Sequence, residues 1–175
     1  MFTTKSFTNL SKLSSSEKDS IKKINEENMY YKGGTLYLSN ILRFFDDGDI
    51  ILLAYDNNEV VGYALIKKPN NVGVDFMKSC AGEIKDDNFT WDEIVSNTNA
   101  LYIAQIAIAC NHQGNGVATA MIESMNDFIV ISNAKVKNKG SHNMHIKNGF
   151  KVIGGMYAHN NEPYNLLYYR EKKCV

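Results

Sequence analysis

The strongest constraint in this sequence is an apolar run, ALYIAQIAIAC, at positions 100–110. The run carries no charge and hardly alternates between apolar and polar residues, so it predicts a central strand covered on both faces of a sheet. A glycine-containing loop, NHQGNG, follows at 111–116, and apolar residues then recur at helical spacing over 117–127. This order of strand, loop and helix places the loop at the N-terminus of a helix.

The remainder of the chain also reads as a mixture of helices and strands. Helices are predicted at 14–30, about 36–45, about 90–96, 117–127 and 141–148, and strands at 50–55, 60–66, 100–110, 128–131, about 150–158 and 164–170. Ser14 and Glu17 have capping-box spacing, and Asn57-Asn58 suits a tight hairpin turn because Asn tolerates positive φ. We therefore expect an α/β fold, with a mixed sheet of six to seven strands and helices on both faces.

Length and composition limit the domain count and the classes of partner that this chain can have. A chain of 175 residues is expected to form one domain over 1–175, with 68–98 as an insertion between the third and fourth strands. Nineteen basic and nineteen acidic residues balance, and nucleic-acid and membrane-surface binders need an excess of positive charge, so neither partner is expected. The three cysteines form no C-x-x-C pair, and no signal peptide or apolar span is evident. We expect a cytoplasmic protein with no metal site.

The loop by itself is ambiguous. Glycines at 114 and 116 would let backbone N–H groups approach a phosphate, which the dipole of the following helix would favour. The loop lacks the Lys-Ser/Thr of a Walker loop and the G-x-G-x-x-G of a dinucleotide site. A plain tight turn is an equally good interpretation of two glycines alone.

Two motifs together resemble the GNAT superfamily of acetyltransferases. Residues 113–118, QGNGVA, spell Q-x-x-G-x-A, which is similar to the acetyl-CoA pyrophosphate loop of that superfamily, and the preceding strand is similar to its fourth strand. Residues 138–150, NKGSHNMHIKNGF, resemble its last motif, N-x-x-A/S followed by Y/H-x-x-x-G-F. The resemblance covers most of the chain, and its motifs are specific for the superfamily but not for a substrate.

The resemblance implies a mostly antiparallel sheet and an acetyl-CoA-dependent N-acetyltransferase that transfers the acetyl group directly to an amine. It also implies which residues bind the cofactor. Backbone amides of the loop would bind the pyrophosphate, the backbone of two strand residues would pair with the pantetheine arm, and one Asn would contact that arm. These residues are Gln113, Gly114, Asn115, Gly116, Val117 and Ala118 in the loop, Ile106 and Ile108 in the strand, and Asn138.

Three residues are candidates for the chemistry. His145 stands where many family members have a Tyr that protonates the leaving thiolate, and it is either an acid or a residue that packs beneath the cofactor. The motif with Ser at 141 and His at 145 resembles that of family members acting on amino acids of the phosphinothricin type. Gln105, a polar residue in an apolar strand, either positions the substrate or a water or is a satisfied core amide. Tyr102 is either part of the core or pocket wall or a base.

The acceptor is expected to be a primary amine of a small molecule or an amino acid. Acidic residues at Asp46, Asp47 and Asp49 and in the 68–98 segment favour a cationic amine, or they form a solvated surface. Two alternatives stay open, namely a protein N-terminal or lysine acetyltransferase and a non-catalytic acyl-CoA-binding regulatory module. The module is considered because the family's common Tyr and strand carboxylate are missing. A free sheet edge makes a homodimer a further expectation.

Overall fold

A computed structural model of the chain describes residues 1–28, 49–68, 78, 81–82, 84–86, 89–157 and 163–172. The strands are β1 (Thr3–Phe7), β2 (Ile50–Asp56), β3 (Glu59–Lys67), β4 (Ala100–Ile108), β5 (Ile129–Lys135), β6 (Lys151–Tyr157) and β7 (Pro163–Arg170). The helices within these described ranges are α1 (Ser15–Asn28), α2 (Trp91–Ser96), α3 (Val117–Glu123) and α4 (Lys139–Lys147). Short 3-10 turns occupy Leu10–Lys12 and Cys110–His112.

The seven strands form one mixed sheet in the order β1-β2-β3-β4-β5-β7-β6. The pairs β1–β2, β2–β3, β5–β7 and β6–β7 are antiparallel. Strands β4 and β5 run parallel, with Ala100 opposite Ile129 and Ile103 opposite Ser132. The prediction of a mixed, mostly antiparallel sheet of six to seven strands is confirmed. Strand β1 was not predicted, because its side chains are mostly exposed and its sequence therefore has little apolar pattern.

The caps and the turn predicted from sequence are present. The Glu17 amide donates to Ser14 Oγ (3.2 Å), and the Ser14 amide donates to the Glu17 carboxylate (2.7 Å). Thr90 begins α2 by accepting a hydrogen bond from the Glu93 amide at 3.3 Å. The pair Asn57-Asn58 adopts φ values of 48° and 71°, which fixes the register of the β2–β3 hairpin.

Contacts along the chain divide it into two compact units. The first comprises Met1–Lys67 and Ala104–Ser124, and the second comprises Lys68–Ile103 and Met125–Val175. In the first unit, α1 packs on β3 and buries Ile21 and Ile24, while α3 packs on β1, β2 and β3. The core of the second unit consists of Phe89, Ile94, Ala100, Ile129, Ile131, Ile153, Leu167 and Tyr169. The single-domain assignment of 1–175 stays a prediction.

Several features of the sequence analysis lie outside the described residues, including the helix predicted at 36–45, Asp46 and Asp47. Asp49 is described and is only 4% exposed. Its carboxylate lies 2.9 Å from Lys67 Nζ. Because this ion pair balances its charge locally, Asp49 offers little attraction for a cationic acceptor. None of the described helices is long and apolar enough to cross a bilayer.

Candidate active site

The glycine loop bends through two left-handed residues and then enters α3. Gly114 has φ 81° and Gly116 has φ 90°, values that glycine adopts without the steric cost of a Cβ atom. Gly116 is the N-cap residue of α3, and the helix begins at Val117. The N–H groups in the first turn of an α-helix have no intrahelical acceptors. The amides at the start of α3 are therefore hydrogen-bond donors that face the loop.

Of the six backbone amides of residues 113–118, two donate to nearby carbonyl oxygens and four do not. The Gln113 amide faces the Cys110 carbonyl oxygen at 3.5 Å, and the Asn115 amide faces the His112 carbonyl oxygen at 3.4 Å. The amides without an acceptor in the described part of the chain belong to Gly114, Gly116, Val117 and Ala118. Residues 113–118 carry no ionisable side chain. The loop can therefore bind an anion through backbone dipoles alone.

Gln105, on β4, is tied to α1 by a triangle of hydrogen bonds. Its Nε2 donates to the Tyr63 hydroxyl at 2.9 Å and to Asn25 Oδ1 at 3.1 Å, and the Tyr63 hydroxyl donates to Asn25 Oδ1 at 2.9 Å. Tyr63 is fully buried, and burial raises the pKa of its hydroxyl, which stays neutral. Within the described residues, Oε1 of Gln105 has no hydrogen-bond partner and is available to a ligand.

The end of β4 and the start of the loop are fastened to the last turn of α1. Asn28 Nδ2 donates to the Ile108 carbonyl oxygen at 2.9 Å, and Gln113 Nε2 donates to the same oxygen at 3.2 Å. The Cys110 amide donates to the Glu27 carboxylate at 3.2 Å. Two protein donors thus occupy the Ile108 carbonyl oxygen, so this oxygen already has its partners before any cofactor binds.

His145, on α4, is 1% exposed and lies between two aromatic rings. Its imidazole stacks on Tyr168, with ring centroids 4.1 Å apart, and lies nearly perpendicular to the ring of Phe150, with centroids 5.0 Å apart. Nδ1 donates to the Ser141 carbonyl oxygen at 2.7 Å. The buried Nε2 has no hydrogen-bond partner among the described residues. Burial lowers the pKa of His145 to about 4, so the imidazole is neutral at physiological pH.

Tyr102 begins a row of polar side chains across three strands. Asn133 Nδ2, on β5, donates to the Tyr102 hydroxyl at 2.5 Å, and Asn165 Nδ2, on β7, donates to Asn133 Oδ1 at 2.9 Å. Burial raises the pKa of Tyr102, against the opposing effect of the Asn133 hydrogen bond. The phenol therefore keeps its proton near neutral pH, which makes it a possible proton donor and a poor base.

Asn138 is the N-cap residue of α4. Its Oδ1 accepts a hydrogen bond from the Ser141 amide at 3.0 Å, and this leaves the Nδ2 group free for a ligand among the described residues.

The candidate residues fall into two sets, one in each compact unit. The first unit contains Gln105, Ile106, Ile108 and the loop from Gln113 to Ala118, and the second contains Tyr102, Asn138 and His145. Sequence reasoning missed Asn25, Asn28 and Tyr63, because their roles depend on contacts between residues far apart in the chain. In the described part of the chain, no group of three or more His, Cys, Asp or Glu side chains could hold a metal ion.

Comparison with known proteins gives the family of this chain and its fold. Residues 18–150 match the model of the acetyltransferase (GNAT) family. A GNAT-family acetyltransferase from Streptococcus agalactiae is 15% identical, with a TM-score of 0.71 over 98% of this chain and 96% of that one. The ribosomal-protein-S18-alanine N-acetyltransferase of Escherichia coli is 10% identical, with a TM-score of 0.64 over 100% and 96% of the two chains.

A third solved structure, yncA from Salmonella typhimurium, contains acetyl-CoA as its cofactor. It is 16% identical, with a TM-score of 0.59 over 96% of this chain and 91% of that one. Similarity at these identities shows a shared fold. A comparison with curated protein sequences finds no significant match. Since the family model spans well over half of the 175 residues, this chain belongs to the GNAT family of acetyltransferases, whose acetyl donor is acetyl-CoA.

Proposed function

We propose that this enzyme transfers the acetyl group directly to the primary amine of a small molecule or an amino acid. The observation that carries the proposal is the Ser141 and His145 pair on α4, whose spelling resembles that of family members acting on amino acids. In the structure the two residues are one helical turn apart: His145 Nδ1 donates to the Ser141 backbone carbonyl oxygen at 2.7 Å, and Ser141 Oγ lies 3.5 Å from the same nitrogen.

The loop would bind the pyrophosphate of acetyl-CoA. Its unpaired amides provide N–H donors at the start of α3, and a phosphate anion is favoured there without any Lys or Arg. The thioester would then lie along β4, beside the backbone of Ile106 and Ile108. As the amine attacks the carbonyl carbon, negative charge develops on the carbonyl oxygen, and a strand amide at Ile106 or Ile108 would stabilise it.

Direct transfer is favoured over an acetyl-enzyme intermediate on cysteine. Cys110, at the end of the strand, is exposed, and its Sγ lies 3.9 Å from the Glu27 carbonyl oxygen and 4.0 Å from Gln113 Nε2. Neither group can accept the thiol proton as a general base does in nucleophilic catalysis, and the nearby Glu27 carboxylate accepts its hydrogen bond from the Cys110 backbone amide. A neutral amine therefore attacks the thioester without a covalent intermediate.

Gln105 is proposed to orient the acceptor amine. Its Nε2 is held by Tyr63 and Asn25, so Oε1 is the group that would accept an N–H hydrogen bond from the amine. A neutral amide cannot remove a proton, and β4 contains no carboxylate. We assign removal of the amine proton to a water molecule.

The leaving thiolate needs a proton. With a pKa of about 4, His145 is protonated in only about one molecule in a thousand at pH 7. Tyr102, whose pKa is raised by burial, is fully protonated at that pH. We therefore assign Tyr102, the candidate whose hydroxyl keeps its proton, as the donor to the thiolate, and a packing role to His145, whose pKa is lowered by burial.

The test is release of CoA thiol from acetyl-CoA in the presence of amino acids, small amines, polyamines and peptides with free N-termini or lysines. The proposal expects turnover with an amino acid or a small amine, and the polyamine arm tests the expected preference for a cationic acceptor. Turnover on peptides alone would assign a protein acceptor instead, as in the Escherichia coli S18-alanine N-acetyltransferase. CoA binding without turnover on any amine would assign a regulatory module.

Mass spectrometry of the enzyme after incubation with acetyl-CoA and no acceptor tests direct transfer. An unmodified chain is expected, and an acetyl group on Cys110 would contradict the mechanism. Absence of any acetyl-CoA binding would remove the proposed function altogether. The expected homodimer stays a prediction, to be tested by light scattering.

A further inference from the structure

The last turn of α1 ends in a polar run, Asn25-Glu26-Glu27-Asn28, and Asn28 contacts both the end of β4 and the loop. We infer that Asn28 is a positioning residue that sets the affinity for CoA by holding the pyrophosphate loop in its binding conformation. The inference rests on the proposed function, since it assigns the support of the same loop.

The carboxamide of Asn28 is held at both of its ends. Nδ2 donates to the Ile24 carbonyl oxygen of its own helix at 2.8 Å and to the Ile108 carbonyl oxygen at 2.9 Å. Carbonyl oxygens only accept hydrogen bonds, so the nitrogen must face them and Oδ1 must face the other way. Oδ1 accepts a hydrogen bond from Gln113 Nε2 at 3.1 Å. The side chain therefore has one orientation, and it connects a helix, a strand end and the first residue of the loop.

Gln113 depends on this contact. Its two amide protons go to Asn28 Oδ1 and to the Ile108 carbonyl oxygen, so its side chain turns back to the protein and does not face the loop's ligand. The internal backbone bonds of the loop are long, at 3.4 and 3.5 Å. At the loop entry the His112 amide donates to the Ala109 carbonyl oxygen at 2.8 Å. The side chain of Gln113 adds two hydrogen bonds, at 3.1 and 3.2 Å, that fasten the first residue of the loop to α1 and to the end of β4. A loop held in place before binding loses less conformational entropy when the ligand arrives.

The test uses Asn28→Ser as the main variant. A serine hydroxyl in a helix can still bond the carbonyl four residues earlier, here that of Ile24, so the helix end is preserved. The hydroxyl is too short to reach Ile108 or Gln113, so the contacts to strand and loop are lost. Asn28→Ala serves as a second variant, and Glu26→Ser, an exposed position in the same turn, is the matched control.

The primary measurement is titration calorimetry with CoA. Loss of about two hydrogen bonds is expected to raise the Kd of both Asn28 variants roughly tenfold, with Glu26→Ser within twofold of the parent protein. In a Gln113→Ala background, Asn28→Ser should raise the Kd by less than about threefold, because the shared contact is already gone. A full tenfold effect in that background would contradict the coupling.

Hydrogen exchange separates positioning from general destabilisation. In the free protein, Asn28→Ser should speed amide exchange in the loop at 111–118 and leave exchange in β2 and β3 unchanged, and CoA should restore protection. Faster exchange throughout these strands, or a Kd equal to that of the parent protein, would overturn the inference. A parent protein that does not bind CoA would instead overturn the proposed function, which is a distinct result.

Discussion

The imidazole of His145 stacks on the ring of Tyr168 with ring centroids 4.1 Å apart and an interplanar angle of 14°. The ring of Phe150 packs nearly perpendicular to the same imidazole, and Nδ1 of His145 donates to the Ser141 carbonyl oxygen. A proton on Nε2 would place a charge in a site that is 1% exposed, where desolvation is costly. The neutral imidazole is therefore part of the packing of α4 against β7.

The stability of the protein should fall as the pH falls from 6.5 towards 4. An unfolded His titrates at its ordinary pKa of 6.5, whereas His145 in the folded state titrates near 4. Between these values the unfolded state binds more protons, so the free energy of unfolding declines as pH decreases, by up to roughly 3 kcal/mol. Urea unfolding at pH 7.5, 6 and 5 measures the decline.

Carboxylates also titrate in this range, so the comparison uses His145→Phe, which keeps an aromatic ring in the stack. The variant should lose stability more gently than the parent protein between pH 6.5 and 5. Parallel curves for the two proteins would show that His145 is not the group responsible.

Tyr102→Phe should slow turnover while His145→Phe should not. Phenylalanine keeps the ring of Tyr102 and removes the hydroxyl that we assign as proton donor, and loss of a general acid lowers kcat by about a hundredfold. Steady-state thiol release at saturating substrate measures both variants. A large loss of kcat in His145→Phe together with normal kcat in Tyr102→Phe would return the acid role to His145.

Valine at Gly114 or Gly116 should raise the Kd for acetyl-CoA by tenfold or more. Both glycines have positive φ, a conformation in which a β-branched residue is strained. Relief of this strain would change the backbone and so the direction of the loop amides. Neither site is crowded, since a Cβ atom at either would meet nothing within 4 Å, so the effect comes from the backbone. Calorimetry with acetyl-CoA measures it.

Asn58→Val is the matched control for this strain. Asn58 is exposed in the β2–β3 turn and has φ 71°. The substitution should lower the melting temperature about as much as the glycine variants do and leave the Kd unchanged. A similar loss of affinity in all three variants would indicate general destabilisation of the first unit.

The features predicted correctly from sequence are the turn and the helix caps, which depend on hydrogen bonds or backbone angles of neighbouring residues. The Asn57-Asn58 turn and the caps at Ser14 and Thr90 form as expected, because each depends on residues at most three positions apart. Boundaries decided by packing were less accurate. The helix predicted at 117–127 ends at Glu123, and the strand predicted at 128–131 runs to Lys135, where it pairs with β7.

The candidate site divides in the same way. The bends of the glycine loop could be predicted from sequence, because Gly114 and Gly116 are themselves the residues that adopt positive φ. The supports of the loop were not evident, since the contacts of Gln105 with Asn25 and of Ile108 with Asn28 each join residues 80 positions apart. The neutral state of His145 also depends on the ring of Tyr168, which β7 contributes from outside the 138–150 motif, so it cannot be predicted from the motif alone.

Asn25→Leu should weaken acceptor use although Asn25 is buried at 4% exposure. With Asn25 Oδ1 removed, the Tyr63 hydroxyl can bond only Gln105, whose amide would turn Oε1 inward to accept it and Nε2 outward. The group proposed to hold the amine is then lost, so kcat/KM for the acceptor should fall about as far as in Gln105→Leu, roughly tenfold, with an unchanged Kd for acetyl-CoA. Tyr63→Phe leaves Asn25 Oδ1 as the acceptor for Nε2 and should change kcat/KM by less than threefold. Equal losses in Tyr63→Phe and Asn25→Leu would mean that the orientation of the Gln105 amide does not control acceptor binding.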